Sequence, residues 1–150
     1  MPLQGEYAEL LPGWQRDQVE QIMAAGDTRA VDLNGMSVVI VTVRGAKSGL
    51  LRRVPLMRVE HDGAYAAVAS RGGAPSNPAW YHSIKANPEV MVQDGTETRD
   101  YVAREISGAE RDEWWERCVE AFPPYAEYAV KAAESSGRTI PVFVCEPVAD

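Results

Sequence analysis

Apolar and polar positions along this chain fall in short, sharply bounded blocks, and the period of each block predicts an element. Trp14, Val19, Ile22 and Met23 can share one helical face, which predicts a helix over Trp14–Ala25 ended by Gly26-Asp27. A polar stretch around Asn34-Gly35 follows. Ser37–Val43 is a β-branched run and predicts a strand buried on both faces or nearly so. Gly45-Ala46-Lys47-Ser48-Gly49 breaks it. Leu51–Glu60 then predicts the returning strand, with Pro55 marking an edge or a bulge. Asp62-Gly63 predicts a tight hairpin turn into a strand over Ala64–Ser70, because a type I′ turn needs φ > 0 at both central positions.

Beyond the loop Arg71–Pro75, Asn77-Pro78 predicts a short helix reaching Lys85, with Asn as N-cap and Pro at the first helical position. Pro88–Gln93 and Thr96–Ile106 predict two strands joined at Asp94-Gly95. Ser107 and Glu110 have capping-box spacing and open a helix that reaches Ala121. Phe122-Pro123-Pro124 interrupts, a helix over Tyr125–Glu134 follows, and Thr139–Cys145 closes as a strand. The sum is an α+β, mainly β chain of about six mostly antiparallel strands with about four helices, best built as a small β-barrel with the helices packed on it. Strand order is not legible from the pattern.

Size and composition narrow the class. At 150 residues the chain reads as one domain, 1–150, with a helical segment at 1–36 and a barrel core at 37–150. Its 45 % hydrophobic and 25 % charged content is that of an ordinary soluble protein. A pI near 4.9 argues against nucleic-acid binding. No apolar run approaches a membrane span, and no leader pattern stands at residues 1–11, so a cytoplasmic protein without stable membrane insertion is expected, at most peripheral to the inner face of a membrane. Cys118 and Cys145 have no metal-ligand spacing and read as buried thiols. His61 and His82 lack acidic or thiol partners at ligand spacing, so no metal is expected.

Charge distribution changes the picture most. The chain carries net −7, yet Leu33–Val59 contains no carboxylate and five cations: Arg44, Lys47, Arg52, Arg53 and Arg58. Such a window either pairs with acids elsewhere or forms a site for phosphate or carboxylates, since Arg and Lys give the charge-assisted hydrogen bonds these groups need. Gly45–Gly49 lacks P-loop spacing and precedes a strand; it is a turn that could also form an anion-binding nest. Ser70-Arg71-Gly72-Gly73 is a second glycine-rich break directly after a strand, offering backbone donors, a hydroxyl and a guanidinium. Trp80 and Tyr81 are core aromatics or the wall of a flat ring's pocket. Phe122, Tyr125 and Tyr128 recur at three-residue spacing, as a packed face or as phenols able to donate a proton.

Taken in order, several stretches resemble the deazaflavin (F420)-dependent nitroreductase family of actinobacteria. They are Gly45–Gly49, the Arg-x-x-Pro-Leu pattern of Arg52–Leu56, Ala69–Gly73, Asn77–Tyr81 running on to Pro88, Arg138–Val142 and Cys145–Pro147. That family is a branch of the split β-barrel flavin oxidoreductases. The resemblance implies coenzyme F420, a deazaflavin on a phosphodiester arm with a glutamate tail. It assigns Ala46, Lys47 and Ser48 to the tail or phosphate. Arg52, Arg53, Val54, Pro55, Leu56 and Met57 would line the arm and ring. Val68, Ala69, Ser70, Arg71 and Gly72 would contact phosphate and ring edge, and Ala79, Trp80, Tyr81 and Ser83 would wall the pocket. Tyr125, with Tyr128 and Ser70, would be catalytic. Met57 and Phe122 stand where nitroimidazole-reducing members carry Tyr, which points away from nitroimidazoles.

The expectation is therefore an F420H2-dependent reductase passing a hydride to an electron-poor double bond of a small acceptor: a quinone, an enone or a coumarin-type lactone. The alternatives are an FMN-dependent oxidoreductase on the same fold and a non-catalytic F420-binding protein. Either a monomer or a homodimer fits.

Overall fold

The computed structural model describes residues 3–10, 12–31 and 36–148; the Asn34-Gly35 stretch lies outside them. Helix α1 spans Trp14–Ala25, and Gly26 caps it in the left-handed region. The strands are β1 (Val38–Arg44), β2 (Leu51–Met57), β3 (Glu60–His61), β4 (Ala64–Val68), β5 (Glu89–Asp94), β6 (Glu97–Glu105) and β7 (Val142–Pro147). Helix α2 (Ala79–Ala86) lies between β4 and β5, and α3 (Gly108–Ala121) and α4 (Pro124–Ser136) lie between β6 and β7.

All strands form one antiparallel sheet in the order β2-β1-β5-β6-β7-β4-β3. The sheet curls, and chain length shows why. β2 and β3 are its opposite edges, yet only Arg58 and Val59 separate them. Three residue steps reach about 11 Å at most, so the two edges must come together. Backbone bonds hold this corner: Arg58 N–H donates to Ser37 O and Ala66 N–H to Val59 O, each at 2.9 Å. The result is a split β-barrel.

β1 is buried on both faces, as its β-branched run predicts. Val39, Val41 and Val43 point into the barrel with Ile84, Val90, Val92 and Phe143. Val38 and Ile40 point the other way, onto Val19, Ile22 and Val31. Each such burial contributes about 1.5–3 kcal/mol. A third core joins α3 and α4 to β4 and β7 through Trp114, Cys118, Tyr125, Ala132, Ile140, Val142 and Val144.

Local expectations hold where the backbone alone decides. Asp62 (φ 51) and Gly63 (φ 82) form the predicted turn, and Pro55 sits on an edge strand, where its missing N–H leaves no ladder bond unmade. Four details differ. The returning strand splits into β2 and β3: Arg58 N–H donates to Ser37 O at 2.9 Å, while Glu60 and His61 pair with Tyr65 and Ala64 in the next hairpin. Asp94 ends β5 rather than occupying the turn, and its carboxylate accepts from Arg58 Nε (2.9 Å) and Tyr65 Oη (2.6 Å). Ser107 makes no side-chain cap bond, and Glu110 does not reach back to it, being held bidentately by Arg104 at 2.8 and 2.6 Å. Pro78, not Asn77, is the N-cap of α2; Asn77 Oδ1 instead accepts from Arg138 Nη1 at 2.7 Å. No helix of the described residues is long and apolar enough to cross a membrane.

Candidate active site

A cavity of about 960 Å³ opens between β2, the end of β4, the first turn of α2, α1 and the start of α4. That is within the roughly 300–1,000 Å³ usual for cofactor and ligand sites. Among the described residues its wall contains four arginines, Arg16, Arg52, Arg53 and Arg71, and no carboxylate. Trp14, Trp80, Phe122, Tyr125 and Tyr128 form its aromatic part, with Leu10, Met57 and Val68 between them.

The cationic window divides. Arg52 and Arg53 line the cavity. Arg58 is neutralised by Asp94 (2.9 Å) and faces Glu60 at 3.9 Å, so it is no part of an anion site. Arg44 is structural, donating to the carbonyls of Gly49 (2.7 Å) and Gln4 (2.8 Å). Lys47 is exposed on the turn between β1 and β2, outside the cavity. The cavity recovers charge from beyond the window through Arg71; Arg16 also lines it but pairs with Glu20 at 2.9 Å.

The other expected site residues divide the same way. Arg52 through Met57 all face the cavity, because past Leu51 the outer edge of β2 has no strand partner among the described residues. Val68, Ser70, Arg71, Gly72, Ala79, Trp80, Tyr125 and Tyr128 join them. Ala69 is buried behind the wall, its N–H bound to Pro141 O at 3.0 Å. Tyr81 turns outward, its hydroxyl donating to Glu105 at 3.1 Å. Ser83 is buried one helical turn beyond Ala79. Ala46, Lys47 and Ser48 are exposed, and Ser48 Oγ is engaged as the acceptor of Leu50 N–H at 3.1 Å.

The loop after β4 has the backbone conformation of an anion-binding nest. Ser70 is right-handed (φ −75, ψ −42), while Arg71 (φ 47) and Gly72 (φ 63) are left-handed. Such alternation turns successive N–H groups into one concavity. The N–H groups of Ser70, Arg71 and Gly72 have no partner among the described residues. A left-handed arginine is uncommon and costs about 1–3 kcal/mol, a strain found mainly at functional sites. Gly73 (φ 80) lets the loop approach α4, where a Cβ would stand 2.7 Å from Tyr128 O.

Five contributors lie outside the residues that the sequence assigned to the site. Leu10, Trp14 and Arg16 enter the cavity from the N-terminal segment, which carries no motif of its own. Phe122 lines it as well. Arg138 lies behind it: its guanidinium donates to Ala74 O (2.9 Å), Ala69 O (3.0 Å), Asn77 Oδ1 (2.7 Å) and Ser70 O (2.7 Å). The motif Arg138–Val142 was the only signal.

Tyr125 is buried at 4 % exposure, with Phe122, Trp115 and Tyr128 around its ring. Burial pushes its pKa upward, with Cys118 and Tyr128 adding to the effect. It is a neutral phenol across the physiological range, fit to donate and unable to act as a phenolate. Among the described residues no cluster of three or more His, Cys, Asp or Glu could hold a metal ion.

Residues 14–147 match the family described as F420H(2)-dependent quinone reductase. An F420H(2)-dependent quinone reductase of Mycobacterium tuberculosis is 37 % identical over 68 residues, 45 % of this chain and 46 % of that protein. The match thus spans about half the length of this relative. A structure described as an F420-H2 dependent reductase (FDR-A) is 55 % identical, with a TM-score of 0.67 over 73 % of this chain and 93 % of the other. A second, described as a domain-swapped dimer, is 50 % identical, with a TM-score of 0.70 over 87 % and 96 %. At 15 % identity, HutZ, a heme storage protein from Vibrio cholerae, shares the fold alone (TM-score 0.53, 75 % and 82 % covered). With its ordered motifs, its barrel and its match all spanning the same stretch, the chain belongs to the F420H(2)-dependent quinone reductase family of split β-barrel proteins.

Proposed function

We propose that this protein is an F420H2-dependent reductase of quinone-type acceptors, and that residues 1–150 act as one cofactor-binding domain. The observation that carries the reading is the cavity wall: three arginines, Arg52, Arg53 and Arg71, and three backbone donors, all without an acidic or backbone partner among the described residues, set against an aromatic wall. A flat ring on a polyanionic arm needs both halves. FMN would bring one phosphate and no glutamate tail, so it leaves part of this charge unused.

Arg52, Arg53, Arg71 and the N–H groups of residues 70–72 bind phosphate and carboxylates. Val54, Pro55, Leu56 and Trp80 wall the ring, and their apolar surface excludes water. When bound and reduced, F420 supplies a hydride. Tyr125 Oη donates a hydrogen bond to the acceptor's carbonyl oxygen and passes to it a proton drawn from solvent, so that the phenol stays neutral. Tyr128 Oη and Ser70 Oγ hold the acceptor beside it. The relatives named as quinone reductases support the acceptor class. The related domain-swapped dimer makes a homodimer the arrangement to test by light scattering. A cytoplasmic location agrees with a soluble reduced carrier as donor.

Titration with F420 and, separately, with FMN tests the cofactor through its fluorescence, and anaerobic oxidation of F420H2 by a naphthoquinone tests the reaction. Binding of F420 with quinone-dependent oxidation is expected. Binding without oxidation identifies an F420-binding protein, and preference for FMN replaces the cofactor.

A further inference from the structure

Arg138 follows the left-handed Gly137 that ends α4, and its guanidinium turns toward the loop between β4 and α2. All four of its acceptors belong to that loop: the carbonyls of Ala69, Ser70 and Ala74 and Oδ1 of Asn77. None is a carboxylate, and no acid lies within ion-pair distance among the described residues. The half-buried charge is thus spent on peptide carbonyls. A trans peptide carries its C=O and N–H in opposite directions. Drawing the carbonyls of Ala69 and Ser70 toward Arg138 therefore turns the N–H groups of Ser70 and Arg71 away from it. Those N–H groups, with that of Gly72, are the unpartnered ones, and all three residues line the cavity.

We propose that Arg138 is the positioning residue of the anion cradle: by gripping the carbonyls of Ala69 and Ser70 it holds Arg71 left-handed and keeps three backbone donors turned toward the ligand. This rests on the reading of the cavity as a cofactor site, and extends it to a residue that touches no ligand. A lysine cannot replace it, because one ammonium on a flexible stem cannot span a planar fork of four acceptors.

The test compares Arg138→Lys with wild type and with Arg111→Lys. The latter also loses an arginine–carbonyl bond (to Ile140 O, 2.7 Å) but lies outside the cavity wall, so it controls for lost stability. Two probes are used: F420, followed by fluorescence, and inorganic phosphate, followed by amide NMR shifts of residues 70–72. Arg138→Lys is expected to weaken F420 binding at least tenfold, to change turnover at saturating F420 less than twofold, and to abolish the phosphate-induced shifts; Arg111→Lys leaves all three unchanged. Wild-type affinity and shifts in a folded Arg138→Lys overturn the proposal. If wild type binds no F420, the functional reading fails, and the phosphate arm still decides the role of Arg138. Should Arg138→Lys not fold, Asn77→Ala removes one acceptor and is expected to weaken phosphate shifts two- to threefold. Unaltered shifts there overturn the proposal.

Discussion

The ring of Tyr7 lies against the guanidinium of Arg53, with 3.9 Å from the guanidinium carbon to the ring centroid. Backbone pairing puts it there: Ala8 N–H donates to Leu51 O at 2.8 Å and Leu51 N–H to Glu6 O at 2.9 Å. The N-terminal segment thereby extends the sheet beyond β2 and braces a cationic wall of the cavity. An exposed cation–π contact is worth about 0.5–1 kcal/mol. Tyr7→Ala should lower the thermal midpoint by a few degrees and leave F420 affinity within about threefold, because the charge of Arg53 remains. A tenfold loss of affinity would show that the ring orients Arg53 rather than only stabilising the segment.

Position relative to the cavity should rank the cations. Arg71→Met and Arg52→Met each remove charge-assisted hydrogen bonds worth about 1.5–3 kcal/mol, so F420 affinity should fall tenfold or more. Lys47→Ala, on the exposed turn, should weaken binding by only about threefold, and chiefly at low salt, where screening is least. Fluorescence titrations at two salt concentrations check this. Equal losses at Lys47 and Arg71 would move the anion end of the ligand onto the turn.

Tyr125→Phe keeps the ring packed among Phe122, Trp115 and Tyr128 and removes only the hydroxyl. Turnover should fall by at least tenfold, while F420 affinity stays close to wild type. An unchanged rate in stopped-flow oxidation of F420H2 would take Tyr125 out of the mechanism.

Alkaline pH should destabilise the fold. Burial pushes the thiols of Cys118 and Cys145 up to about 12 from an ordinary value of 9.0. The same cause raises Tyr65, which also hydrogen-bonds Asp94, and Tyr125. Each group stays protonated in the folded chain while its unfolded counterpart ionises. The folded state then binds more protons, so stability, complete below pH 9, falls as pH rises above it. The slope approaches 1.4 kcal/mol per pH unit for each group. Denaturant midpoints from pH 8 to 11 measure this. Cys118→Ala with Cys145→Ala should flatten the curve between pH 9 and 10, and neither thiol should react with Ellman's reagent before unfolding.

Two neighbouring glycines should differ. A Cβ at Gly73 would meet Tyr128 O at 2.7 Å, and its φ is 80; at Gly72 (φ 63) nothing lies within 4 Å. Both substitutions strain the backbone by about 1 kcal/mol. Only Gly73→Ala must also push the loop from α4, so it should cost about 2–3 kcal/mol more and show the larger fall in thermal midpoint. Equal costs would mean that α4 yields freely at Tyr128.

Legibility in the sequence followed the range of the interaction. Trp14–Ala25 shows its helix because the apolar spacing and the glycine stop are local. Val38–Val43 shows a doubly buried strand for the same reason. Asp94 and Asn77 misled because each is a strong turn or cap former on its own, and each was recruited by an arginine far along the chain, Arg58 and Arg138. The site divided along the same line. Motifs on β2 and the loop after β4 named most of one wall, since those residues stand together in the chain. Arg58 could not be set apart from Arg52 and Arg53 by inspection, since only folding brings Asp94 beside it. The contributions of Trp14 and Arg16 depend on where α1 lands on the barrel, and that of Leu10 on the segment before it.

What the amino-acid order determined by itself was the set of elements, the antiparallel hairpins and a concentration of positive charge in an acidic chain. These arise from backbone sterics, side-chain period and formal charge, which act within a few residues. Tertiary structure alone decided which cations remain free, which aromatics face them, and how Arg138 at the end of α4 meets the loop after β4. Charge neutralisation and burial depend on distances between segments tens of residues apart, and those distances exist only once the sheet has curled and brought β2 and β3 to the same corner.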